Sequence, residues 1–238
     1  MPNNTLSIFK ARIFSSPRAL ATGLLATLLM AVSVGAVAQP VTNSGMDSLE
    51  RFVSEARSGR ADFVQTVTSP ARTGEAPRVK KSTGTFEFLR PNRFRFFYQK
   101  PFEQTIVADG ETLWLHDVDL NQVTTRKLSQ VLNGTPAAVI AAAANLKGLQ
   151  ADFTLSALPE KAGLQWVMAT PKTRDGQVQN ISVGFRVTAQ GSELAALDIL
   201  DSFGQRSVMT FSRFEANPVF SASHFQFKPP AGADVLRQ

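Results

Sequence analysis

Between Gly84 and Gln99 the chain reads GTFEFLRPNRFRFFYQ, and the period of that stretch decides the fold class. Phe86, Phe88 and Arg90 fall on alternate residues, as do Phe94, Phe96 and Tyr98. A two-residue period puts side chains on opposite faces of a strand, so each run has one aromatic and one more polar face. Pro91-Asn92 between them is turn chemistry, which makes the stretch a β-hairpin. Arg93 and Arg95 belong to its polar side, whereas Arg90 stands on the Phe face at the hairpin end. A guanidinium there either reaches water along its own stem or binds acceptors such as the free carbonyls of a helix end, several of which its five N–H donors can bridge. An unpaired buried charge is too costly to be a third choice. The residues alone leave both readings open, and they leave the Phe stripe open as ordinary core or as ligand lining.

Working outward, the same period continues on both sides of the hairpin. It runs through ADFVQTV, QTIVADG, ETLWLHD and QVTTRKL before position 128, and through ADFTLSAL, QWVMATPK, NISVGFRV, ELAALDIL, RSVMTFSRF and HFQFKPPAGADVL after position 150. Turn residues punctuate these runs, as in a meander of hairpins. Two helices interrupt it. Leu49, Phe52, Val53 and Ala56 give one apolar helical face between Met46 and Ser58, with Asp47 or Ser48 as cap. NGTPAAVIAAAANL offers Thr135 as a cap and Pro136 at the first helical position. The expected fold is mainly β with helices, an antiparallel sheet of ten or eleven strands, too many to stay flat.

The first 38 residues read as an address. Lys10, Arg12 and Arg18 precede an uncharged run from Ala19 to Val37 that closes on Ala36 and Ala38, the small-residue pattern of signal cleavage. A permanent anchor is the alternative, because the run approaches the ~20 residues of a membrane span. Removal of the leader takes away three positive charges and no negative ones, so the net charge falls from +6 to +3 on 200 residues. That excess is too weak and too scattered for a nucleic-acid surface. The chain has no cysteine, so its core must hold without disulfides and no acyl anchor can be attached through a cysteine after the leader. Residues 39–238 are expected to form a single domain.

Motifs of catalysis are missing. His116 and His224 are the only histidines, and neither belongs to a metal-ligand or triad pattern, so neither a metal nor a cofactor is expected. His116 reads as a strand surface residue. Asp109 and Asp119 occupy turn positions, where aspartate is favoured for geometry alone. Asp117 and Asp201 remain as carboxylates from which a hydrolase could be built. Phenylalanine is the unusual residue, with 18 against two tryptophans and one tyrosine, a composition suited to apolar contact and poor in the polar handles of sugar or nucleic-acid sites.

GTFEFLRPNRFRF, IVADGETLWLHDVDLNQVTTRKL, GTPAAVIA, DSFGQRSVMTFSRF and FQFKPPAGADVL follow one another in an order and spacing that resembles the periplasmic outer-membrane lipoprotein carrier family, LolA, over essentially the whole of residues 39–238. The resemblance implies an incomplete, strongly curved antiparallel β-barrel with a helical lid over a hydrophobic cavity. It implies no enzyme but a periplasmic chaperone and carrier, expected to be a monomer. Its partners would be acylated lipoproteins, an ATP-driven release complex in the inner membrane and a receptor lipoprotein at the outer membrane. Arg90 then matches the arginine of the R-P-N-x-F motif that bonds to the lid, and the acyl chains would lie against Phe86, Phe88, Phe94, Phe96, Ile106 and Leu113. His116 and Val118 depart from the family pattern, where an aromatic and a proline are usual. Within the same fold, a lipid-sensing regulator domain is the alternative; a periplasmic hydrolase is the alternative from another class.

The leader reading predicts that the mature protein begins at Gln39. N-terminal sequencing of periplasmic material checks it, and an intact leader on a membrane-bound form contradicts it.

Overall fold

A computed structural model describes residues 44–71, 73–131, 138–142, 145–173, 177–221 and 223–238. The leader with its cleavage point, and the expected cap Thr135 with Pro136, lie outside the described residues. Helix α1 (Gly45–Glu55) buries Leu49, Phe52 and Val53, the apolar face that the spacing predicts. Its cap, however, is Ser44. The Ser44 hydroxyl accepts from the Asp47 amide at 3.2 Å, and the Asp47 carboxylate accepts from the Ser44 amide at 3.0 Å. Two orphan donors of the first turn are thereby satisfied reciprocally, which is why Asp47 sits inside the helix and Ser44 outside it. At Gly45 the helix meets the sheet backbone to backbone: a Cβ there would lie 2.0 Å from the Trp166 carbonyl oxygen.

One sheet of twelve strands follows: β1 (Ser58–Ser69), β2 (Arg78–Leu89), β3 (Arg93–Lys100), β4 (Gln104–Asp109), β5 (Thr112–Asp117), β6 (Gln122–Lys127), β7 (Phe153–Lys161), β8 (Leu164–Pro171), β9 (Val178–Thr188), β10 (Gly191–Asp201), β11 (Arg206–Ala216) and β12 (Asp234–Arg237). Their order is β12-β6-β5-β4-β3-β2-β1-β11-β10-β9-β8-β7. Two meanders of local hairpins thus meet along the β1–β11 ladder. The outer strands β12 and β7 do not pair with each other, so the curved sheet is an incomplete barrel. Against the expectation of a wholly antiparallel sheet, β12 runs parallel to β6.

The helical run around position 140 also differs from the single helix expected. After α2 (Leu128–Val131), Ala138–Ala142 forms a π-helical turn and α3 (Leu146–Asp152) begins anew, with the Asn145 carboxamide oxygen accepting from the Gly148 amide at 2.9 Å. An asparagine cap restarts the helix, so Ala151 and Asp152, which the period-two reading assigns to a strand, lie in α3.

The parallel strand has a simple cause. From Asn217 to Ala233 the chain crosses the outer face of the sheet. Asn217, at φ 57°, accepts from the Arg57 amide at 2.8 Å and donates to the Glu55 carbonyl at 3.0 Å, which ties the start of this strap to the end of α1. His224 Nε2 then lies 2.7 Å from Glu87, which also accepts from Arg60 at 2.8 Å. Phe225 is 2% exposed, and the Phe227 ring tilts against Trp114 and His116, so His116 is a half-buried residue beneath the strap rather than an open surface one.

The strap makes an acid-sensitive contact. Burial pushes the Glu87 carboxyl up, but the hydrogen bonds from Arg60 and His224 outweigh it and hold the group below the ordinary value of 4.5. A carboxyl lowered in the folded state contributes stability that is fully present above its unfolded pKa and is lost as pH falls through the folded one. Thermal melts between neutral pH and about pH 3 should therefore show that Glu87→Gln, less stable at neutral pH, loses less stability on acidification than the wild type. Parallel acid limbs would show that Glu87 contributes nothing to the strap.

Candidate functional site

The β2–β3 hairpin carries Arg90 to the place where two helical segments end. The Arg90–Pro91 bond is cis and Asn92 takes φ 64°, a left-handed conformation that asparagine tolerates better than most residues. Backbone bonds fix the turn on both sides: the Arg90 amide donates to the Arg57 carbonyl at 2.8 Å, and the Asn92 amide donates to the Ala141 carbonyl at 3.0 Å.

All three guanidinium nitrogens of Arg90 find carbonyl partners. Nη1 donates to the carbonyls of Phe52 (3.1 Å), Val53 (3.0 Å) and Ala56 (2.6 Å). Nε and Nη2 both donate to the Ile140 carbonyl, at 3.0 and 2.7 Å. The first three acceptors lie at the end of α1, where the macrodipole is negative and the Val53 and Ala56 carbonyls have no partner within the helix, while the Phe52 carbonyl also accepts from the Ala56 amide at 3.1 Å. The fourth belongs to the π-helical turn. The cation also lies over the rings of Phe52 and Phe88, 4.9 and 5.3 Å from their centroids. Burial lowers its pKa to about 10, which leaves it charged at neutral pH. Of the two readings that the sequence leaves open, the bonded arginine is the one observed.

The six expected lining residues share the interior with it. Phe86, Phe88, Phe94 and Phe96 are buried, 1%, 0%, 4% and 8% exposed; Ile106 and Leu113 are half-buried and pack against the same core. Phe86 lies directly opposite Phe96 across the β2–β3 ladder, and Phe88 opposite Phe94. The Phe86 and Phe96 rings stack at 4.4 Å. Phe63, Phe211 and Phe185 complete the aromatic layer from β1, β11 and β9, and Phe52 of α1 closes it from above. The stripe is therefore core in this structure, its space filled by its own rings. What the sequence could not name were the acceptors of Arg90, because a backbone carbonyl carries no residue signature; the end of α1 was their only signal.

The acids behave as turn residues. Asp109 accepts from the Glu111 and Thr112 amides at 2.9 and 2.8 Å and from the Trp114 indole at 2.8 Å. Asp201 accepts from the Phe203 and Gln205 amides. Among the described residues no three potential ligands come together as a metal site.

Residues 54–228 match the family model described as outer membrane lipoprotein carrier protein LolA. The outer-membrane lipoprotein carrier protein of Albidiferax ferrireducens is 64% identical over 207 residues, 87% of this chain and 97% of that protein. Those of Leptothrix cholodnii and Ralstonia nicotianae are 53% and 39% identical, covering 93% and 92% of this chain and 97% and 96% of their own lengths.

The packing predicts unequal costs of truncation along the stripe. Phe86→Ala should lower unfolding stability by about 3–5 kcal/mol, because a fully buried ring leaves a cavity. Leu113→Ala, already half open, should lose clearly less. Chemical denaturation of both variants checks this, and equal losses would contradict the burial.

Proposed function

The chain belongs to the LolA family of outer-membrane lipoprotein carriers, and on that premise we propose how this carrier holds and releases its cargo. The mature chain, residues 39–238, works as a monomer in the periplasm. It receives acylated lipoproteins from an ATP-driven release complex in the inner membrane and passes them to a receptor lipoprotein at the outer membrane. Arg90 is the latch. With no cargo it holds α1 and the 138–142 turn against the aromatic interior; with cargo these elements lift and acyl chains take the place of Phe52 against Phe86, Phe88, Phe94, Phe96, Ile106 and Leu113.

The observation that carries this reading is the partner set of Arg90: four backbone carbonyls on two helical segments and, among the described residues, no carboxylate. The energetics favour such a device. Each methylene exposed to water costs about 0.8 kcal/mol, so one chain of about fifteen methylenes left bare would cost roughly 12 kcal/mol. A carrier must cover it. Non-covalent affinity, however, saturates near −18 to −21 kcal/mol, and a carrier approaching that limit would not unload. A closed state that competes with cargo keeps the affinity moderate, since a ligand shifts an equilibrium only by its differential affinity for the two states.

Arg90→Leu tests the latch. Hydrogen bonds from a charged donor are worth about 1.5–3 kcal/mol each, so without them the closed state is disfavoured. The variant should then retain more co-purifying acylated protein, detected by mass spectrometry, and transfer it poorly to receptor-bearing membranes. Arg90→Lys should recover part of the release, because one ammonium cannot span four acceptors. Loading and release equal to wild type in Arg90→Leu would remove the latch.

A further inference from the structure

The inward faces of five neighbouring strands each turn from apolar to polar toward the end away from Arg90. In β1 the change is from Phe63 to Gln65, in β2 from Gly84 to Ser82, in β3 from Phe96 to Tyr98, in β4 from Ile106 to Gln104 and in β5 from Leu115 to Asp117. These positions are neighbours across the ladders: Gln65 faces Ser82, Tyr98 faces Gln104, and Gln104 faces Asp117. Between β2 and β3 the row steps by one position, since Tyr98 faces Gly84, so the polar side chains form a staggered band across the sheet at the end of the interior opposite Arg90. Beyond the band lies a cavity of about 450 Å³, lined by these five residues and opening between the β3–β4 and β5–β6 turns at Phe102 and Leu120. Tyr98 packs its ring against Phe63 at 5.0 Å and lines the cavity, and its hydroxyl has no hydrogen-bond partner among the described residues.

We infer that this band is a hydrated floor that limits how deep an acyl chain can enter, and so sets the chain length the carrier binds best. The inference rests on the carrier reading above. From Phe94, beside Arg90, to Tyr98 is four residues, about 13 Å along an extended strand. Methylenes placed above the band leave water for an aromatic environment. Methylenes pushed past it enter an open cavity in which the polar groups of the band, with Lys80 and Asp119, stand among Val67, Pro101, Phe102 and Leu120, so each gains less than in the aromatic interior. The band belongs to the sheet and not to the helices, so it stays in place when α1 lifts. Its polarity is also unlike ordinary core, since the same strands carry Phe63, Phe96 and Ile106 one step nearer Arg90 and Phe86 two steps nearer.

The experiment is displacement of a fluorescent hydrophobic probe by a homologous series of saturated fatty acids. With wild-type protein, affinity should rise about fourfold per added methylene and then level off once the chain reaches the band. In Tyr98→Phe/Gln104→Leu, which turns the middle of the band apolar, the levelling should move to longer chains. Gln104→Leu alone, read the same way, serves if a thermal melt shows the double variant unfolded. An unbroken rise in the wild type, or a break at the same length in the variants, overturns the floor and leaves the carrier reading standing. Failure of every chain to displace the probe overturns the acyl site and the floor together.

Discussion

A guanidinium taken out of water must be given acceptors, and in this protein the acceptors are backbone carbonyls from two segments 34 to 50 residues away in sequence. That constraint joins the hairpin, the end of α1 and the 138–142 turn into one unit. The choice of carbonyls also bears on reversibility. A buried carboxylate partner would leave a second charge to be desolvated at each closure. Carbonyls at a helix end are neutral, and on opening both they and the arginine return to water, which satisfies all of them. In the proposed latch, such a joint is firm when made and adds no second buried charge that would have to be desolvated again on closing.

The aromatic interior follows from the same requirement. Phe86, Phe96, Phe63 and Phe211 fill the interior of the incomplete barrel with one another. Flat rings packed at tilted and stacked angles give a surface that alkyl chains can replace without specific complementarity. Around them the sheet is held from outside by the strap, which carries the buried Phe225 and the Glu87 contacts. Opening the inner face need not loosen the outer one.

Much of this was legible in the residues, and the failures have physical causes. Alternation located the strands because a half-buried sheet enforces the two-residue period, and it put Arg90 on the Phe face for the same reason. The parallel β12 was not legible: VLR reads alike in either direction, and orientation depends on the path of the strap. The cap of α1 was misplaced by a few residues because Ser44, Asp47 and Ser48 all carry capping side chains and only the backbone decides among them. The region after α2 looked like one helix because alanine favours helix whatever the tertiary path, and Asn145 restarts it. The period put Phe86, Phe88, Phe94 and Phe96 on one face but left open whether that face is core or lining, because the ring positions and the place of Phe52 carry no sequence signature.

The sheet order has a consequence for how the chain reaches this shape. Strands β2 to β6 and β7 to β10 can each form as they are made, since every pairing within them is between sequence neighbours. The ladder between β1 and β11 joins residues such as Phe63 and Phe211, nearly 150 positions apart, and nothing local can substitute for it. Non-local pairing of this kind slows folding, because the loop must be closed before the contact rewards it. Until that ladder forms, both meanders present an unpaired edge and one side of the aromatic layer to their surroundings. A chain built to hide other molecules' grease is thus, during its own assembly, briefly a candidate for the same protection.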